Sequence, residues 1–96
     1  MKESESNIRL VCKDCTNELQ QEFRKFFTPD DLNDGYAKIS FQDGKKIEHM
    51  WVEIKSRSGR RFTGRLANDP FVVTNIEYND LVTFEFNDIE DYLPIQ

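Results

Sequence analysis

Residues 36–55 read YAKISFQDGKKIEHMWVEIK, and their periodicity decides the fold. From His49 onward apolar and polar side chains alternate. Met50, Val52 and Ile54 fall on one side, and His49, Trp51 and Glu53 on the other. A period of two is the signature of a strand with two unlike faces. Asp43-Gly44 is a strong hairpin signal, because a tight two-residue turn between strands needs positive φ. The stretch therefore predicts two antiparallel strands, 36–41 and 46–55, joined at QDGK.

The same pattern continues outward. SRSG (56–59) makes a turn, and RRFTGRLA (60–67) a third strand with Phe62, Gly64 and Leu66 inward and Arg61, Thr63 and Arg65 toward water. NDP (68–70) breaks the ladder, and FVVTNI (71–76) is a short strand or an extended loop. EYND turns the chain, with Asn79 suited to a left-handed conformation. LVTFEF (81–86) is the last strand. NDIEDYLP then reads as one closing helical turn capped by Asn87 or Asp88.

Before the hairpins the period is helical. In TNELQQEFRKFF, Thr16 is a plausible N-cap, and Leu19, Phe23, Phe26 and Phe27 make one apolar stripe. Pro29 ends the helix by Thr28. IRLVC (8–12) leans to a short strand, and residues 1–7 are polar enough to predict a disordered tail ahead of a single domain, 8–96. The fold class is α+β: one N-terminal amphipathic helix packed on a four- to five-stranded antiparallel meander. A small, partly closed SH3-like barrel is the alternative.

Composition narrows the class. Ninety-six residues, 38% of them hydrophobic, supply one core. A net charge of −5 repels polyanions, so nucleic acid is a disfavoured partner and a basic protein partner a favoured one. No apolar run approaches the roughly 18 residues of a membrane span, and no signal peptide is visible. The expectation is a cytoplasmic protein, monomeric or weakly dimeric, with no membrane association and no cofactor. In that compartment Cys12 and Cys15, in CKDC, would be reduced. With His49 the single histidine and no further cysteine, a zinc set is incomplete. The acidic residues 30, 31, 34, 88, 90 and 91 lack calcium-loop spacing and read as caps and solvated loops.

Three groups carry candidate chemistry, each with a structural counterpart. His49, Trp51 and Glu53 form either a binding face or ordinary packing, with Trp51 sealing a second cluster against Phe71 or Tyr92. Asn68 and Asp69 either rim that face as polar contacts or serve as turn devices. Lys55, Arg57, Arg60, Arg61 and Arg65 either bind phosphate or guard a sheet edge. His49 is also the one candidate for a general base, with Glu53 or Asp69 as its orienting partner.

Taken together, EHMWVEIK, GRLANDPF and NDLVTFEFNDIEDY resemble the YegJ-like family of small bacterial domains of unknown function, over roughly residues 36–93. The family pattern joins a Trp-containing strand to an Asn-x-Pro loop, a Gly-Asp turn, a Val-x-Phe strand and a closing Asp-Ile-x-Asp-Trp. Here Tyr92 replaces the closing Trp and Asn79 the turn Gly. Asn keeps the positive φ accessible. The resemblance implies no enzyme activity. The functional expectation is a non-catalytic interaction module of accessory or immunity type, using the Trp51 face. A hydrolase or transferase with His49 as base, or phosphate or RNA binding at the arginine hairpin, are the alternatives.

Overall fold

The Asp43-Gly44 turn closes a hairpin of β1 (Gly35–Asp43) and β2 (Lys46–Ser58), with Asp43 opposite Lys46 and Gly35 opposite Ile54. Gly44 takes φ 63°, the left-handed geometry that such a turn demands. A second turn, with Gly59 at φ 62°, leads to β3 (Arg61–Leu66), and β4 (Leu81–Glu85) pairs β3. The structure, a computed structural model, describes residues 11–12 and 17–95. The expected tail, the first residues of IRLVC, and Cys15 and Thr16 lie outside them.

The meander stops at β4. The expected closing turn divides into a 3₁₀ turn, Phe86–Asp88, and a short strand β5 (Asp91–Leu93) that crosses to the far edge and pairs β1. The 3₁₀ turn is capped through Glu85 and Asp88, not Asn87: the Glu85 N–H donates to the Asp88 carboxylate at 2.8 Å. Sheet order is β4-β3-β2-β1-β5, all antiparallel. The physical reason is the free edge of β1. Its backbone groups need partners, and they find them in β5, in the Glu90 N–H (2.8 Å to the Lys38 carbonyl) and in Cys12, whose N–H reaches the Ser40 carbonyl at 2.8 Å. Val11 bridges Phe41 beside it. With β4 and β5 at opposite margins the sheet is open, and the fold is α+β.

Alternation sorts the side chains as expected. Ala37, Ile39, Phe41, Met50, Val52, Ile54, Phe62, Leu66, Val82 and Phe84 are all buried on one face. Full burial of each large apolar side chain contributes about 1.5–3 kcal/mol. Phe62 and Phe84 stack at 5.4 Å between centroids. Leu32, Val73, Ile76, Phe86 and Ile89 close the core from the connecting segments. Residues 71–76 are therefore a loop that contributes two core anchors, and no strand forms there.

The helix α1 (Glu18–Phe26) stops before Pro29 as the sequence requires, but Asn17 caps it in place of Thr16. The Asn17 side chain accepts from the Gln20 N–H at 3.0 Å, and the Gln20 side chain accepts from the Asn17 N–H at 3.1 Å, a reciprocal capping box. Its apolar stripe is only half used. Phe23 is buried and stacks on Phe27 at 4.6 Å, and Phe27 meets Tyr92 edge-on. Leu19 and Phe26 remain 56% and 74% exposed. The helix packs against β5 and the Phe86–Asp88 turn, at the margin of the sheet and not across its middle, so a four-residue roof has nothing beneath half of it.

Cys12 is buried and disulfide-bonded, which corrects the reduced state expected for it.

Gly64 sits opposite Ile54, where the β2–β3 register shifts between Ile54 and Ser56. A Cβ there would lie 2.2 Å from the Glu53 carbonyl oxygen. Gly64→Ala is expected to lower unfolding stability by about 1–3 kcal/mol through overpacking against backbone. Gly44→Ala, with open space around it, should cost about 1–2 kcal/mol from φ alone. Urea denaturation followed by circular dichroism checks both values, and a neutral Gly64→Ala would refute the close approach.

Candidate functional site

On the face turned away from the core, β2 presents His49, Trp51 and Glu53, but the structure distributes them between two sites. Trp51 and Glu53 line a cavity of about 400 Å³ together with Tyr36, Arg65, Asn68 and Tyr78. Leu66, Ala67, Asn79 and Leu93 also border it, Leu66 with its side chain turned into the core. Trp51 is half-buried, and Lys38, its register partner on β1, places Nζ 5.7 Å from the indole centroid. Phe71 does not seal this cluster: it is 93% exposed. Tyr92 does not either, because it packs on Phe27 on the core side and donates its hydroxyl to the Asp34 carbonyl. Burial raises the Tyr92 phenol above its ordinary range, and the Asp34 charge adds to the effect.

Asn68 explains why the ladder ends at NDP. Its Oδ1 accepts the Trp51 N–H at 2.7 Å, and the Ala67 N–H donates to the Trp51 carbonyl at 2.9 Å. A side-chain amide thus continues the β2–β3 pairing by one residue beyond Leu66, and it fixes the backbone that carries the indole. Asp69 is not part of this cavity. It lines a separate groove with Pro70, Thr74 and Glu77.

His49 belongs to a second cluster. Its Nδ1 lies 2.8 Å from Glu90 Oε1 and 3.0 Å from Ser40 Oγ. Ser40 donates to Glu90 Oε2 at 2.5 Å, and Asn17 Nδ2 donates to the same oxygen at 3.0 Å. The Glu90 side chain is fully enclosed, whereas that of His49 is 47% exposed. Neither Glu53, which pairs with Lys55 at 3.3 Å, nor Asp69 orients the imidazole; Glu90 does. A carboxylate only accepts, so the hydrogen between them sits on Nδ1. Ser40 shares Nδ1, the nitrogen that faces the carboxylate, so Nε2 is not placed to take its proton. The set therefore orients an imidazole but does not activate a serine nucleophile. Ser40 was legible in principle: a Gly44-Lys45 turn that opposes Asp43 to Lys46 also opposes Ser40 to His49. Glu90 carried no local signal, since only the crossing to β5 delivers it.

Loop 70–76 is tied down by two carboxylates. Glu48 accepts from the N–H groups of Phe71, Val72 and Val73 at 2.9, 2.7 and 3.0 Å. Asp43 takes both the N–H and the hydroxyl of Thr74, at 2.9 and 2.8 Å. Burial alone would raise the Glu48 carboxyl, but the three backbone donors outweigh it and hold it below the usual range. The Thr74 N–H, then its hydroxyl, lower Asp43 in the same way.

The five cations of residues 55–65 do not form one cradle. Arg57 pairs with Asp30 at 3.0 Å and Arg61 with Glu85 at 3.0 Å. Arg60 lies over the Phe86 ring at 5.0 Å, Lys55 pairs with Glu53, and Arg65 donates to the Asn79 carbonyl at 3.2 Å. Among the described residues no cluster of His, Cys, Asp and Glu could hold a metal ion, and no helix is long and apolar enough to cross a membrane.

The family model of an uncharacterized protein conserved in bacteria (DUF2314) matches residues 1–96. The chain belongs to this family. It is 33% identical to the uncharacterized protein YegJ of Escherichia coli over 57 residues, 59% of this chain and 37% of that one, which agrees with the YegJ-like resemblance. It is 32% identical over 66 residues to a putative ankyrin repeat protein of Neisseria meningitidis, 65% of this chain and 26% of the other. The chain thus spans well under half the length of these curated relatives. No solved structure matches it.

The depressed carboxyls set a pH dependence for this family member. Both Glu48 and Asp43 are lowered on folding, so their contribution is complete above their ordinary values of about 4.3 and 3.9. It is lost as pH falls through the lower folded values. Amide chemical shifts of Phe71–Thr74 are expected to move together on acidification below about pH 4. Glu48→Gln should remove that transition for Phe71–Val73 and leave it at Thr74. Shifts that follow the wild-type acid profile in Glu48→Gln would show that the carboxylate does not hold the loop.

Proposed function

We propose that this domain is a non-catalytic binding module whose ligand seats in the cavity beside Trp51. The observation that carries the reading is the cavity itself. Trp51, Tyr36 and Tyr78 line it with apolar Leu93, and Glu53, Arg65 and Asn68 are among its polar groups. An apolar concavity of a few hundred Å³ with a few convergent polar groups is the usual form of a ligand site. Asn68 and the β2–β3 ladder hold the indole backbone before any ligand arrives, which lowers the ordering cost of binding. An accessory or immunity-type role toward a basic partner accords with the net charge of −5, as a matter of electrostatic complementarity.

A fragment screen followed by backbone amide shifts tests this. Hits are expected to perturb residues 36, 51–53, 65–68 and 78–79 together, and Trp51→Ala should weaken them at least tenfold while the fold persists. Hits that bind elsewhere, or that keep their affinity in Trp51→Ala, would remove the cavity from the argument.

A second reading, acid–base chemistry at His49, draws on the enclosed Glu90 carboxylate at Nδ1. A part-exposed imidazole fixed through Nδ1, which leaves Nε2 for a substrate, is the form a general base takes. Imidazole nitrogen shifts are expected to show the Nδ1–H tautomer, and Glu90→Gln to erode it. A neutral ring protonated on Nε2 would rule out this role.

A further inference from the structure

The cavity beside Trp51 holds one acid and one base, and we propose that its ligand is a free α-amino acid with an apolar side chain, bound as the zwitterion. This deepens the reading of that cavity as the binding site and rests on it.

Glu53 and Arg65 are register partners across β2 and β3, and both line the cavity. Opposite charges at directly paired positions ordinarily meet, yet these two do not ion-pair. Glu53 turns to Lys55, 3.3 Å away, and Arg65 spends one guanidinium nitrogen on the Asn79 carbonyl at 3.2 Å. The cavity therefore offers an acceptor and a donor fork that do not neutralise each other. A ligand of one sign would meet one of the two charges and face the other as a like charge, which is unfavourable. A neutral apolar ligand would leave both. A zwitterion satisfies the two together. Its carboxylate meets the remaining Arg65 donors, which suit planar two-oxygen acceptors. Asn68 Nδ2, which has no hydrogen-bond partner among the described residues while its Oδ1 holds the Trp51 N–H, adds a second donor. The ammonium replaces Lys55 at Glu53, displacing an exposed pair of small worth.

The apolar part of the cavity sets the side chain. Leu93 and the side chains of Trp51, Tyr36 and Tyr78 supply that part, while Leu66 turns its own side chain into the core. No third charged residue joins Glu53 and Arg65 in the lining, so a basic or acidic side chain on a ligand whose ammonium and carboxylate occupy those two would lack a partner there.

Trp51 is the single tryptophan of the chain, so its emission reports the site directly. L-leucine, L-methionine and L-phenylalanine are titrated against the full chain beside N-acetyl-L-leucine, which lacks the ammonium, and L-leucinamide, which lacks the carboxylate. A saturable change with at least one free amino acid is expected, with both capped forms at least tenfold weaker. In Glu53→Gln the advantage of leucine over N-acetyl-leucine should vanish. In Arg65→Met its advantage over leucinamide should vanish. Because the wild-type ligand panel decides by itself, a variant that fails to fold leaves the test intact. Absence of a saturable response to all three amino acids, or capped forms that bind as well as leucine, overturns the proposal. If fragments still perturb the cavity in that event, the ligand class alone falls; if nothing does, the binding site falls with it.

Discussion

Everything on both faces of the sheet depends on the register of the first hairpin. Asp43 opposite Lys46 fixes Ile39 opposite Met50 and Ser40 opposite His49. Because strand side chains alternate, a slip of one residue would exchange the faces completely. Met50, Val52 and Ile54 would then meet water, and the indole and imidazole would enter the core. The positive φ of Gly44 and the run of buried residues in both strands act together against that slip. A local turn preference and a global burial pattern agree here, which is how a sequence specifies one structure.

The polar face is then shaped by side chains that substitute for backbone. Asn68 occupies a strand position at Trp51 with its amide, and Glu48 and Asp43 gather the amides of residues 71–74. These bonds let a connection of fourteen residues, 67–80, lie over the sheet without secondary structure of its own. The amides of residues 71–74 find partners in these carboxylates, and Val73 and Ile76 anchor the connection to the core. The same bonds leave Phe71 almost fully exposed at the tip.

The cavity and the His49 cluster share β2 yet differ in kind. The cavity is open, aromatic and lightly charged. The His49 cluster is a closed network in which an enclosed carboxylate takes hydrogen bonds from Ser40, Asn17 and the imidazole. Such a network contributes rigidity when every member is satisfied, and no buried side-chain polar atom among the described residues lacks a partner. Glu90 thereby joins α1, through its N-cap Asn17, to the hairpin, so the histidine also serves the architecture.

What the sequence alone determined is whatever rests on local periodicity and turn chemistry. The two hairpin strands, the third and fourth strands, the end of the helix before Pro29, the left-handed Asn79 at φ 74° and the Trp51 face all follow from residues close in the chain. Tertiary structure decided what depends on residues far apart. The unpaired margin of β1 drew residues 91–93 away from a helical turn into β5, and that crossing brought Glu90 to His49. The helix settled at the same margin, so Phe26 lost the cover its spacing implied. Free edges and unfilled volume belong to the assembled sheet, and no window of neighbouring residues encodes them.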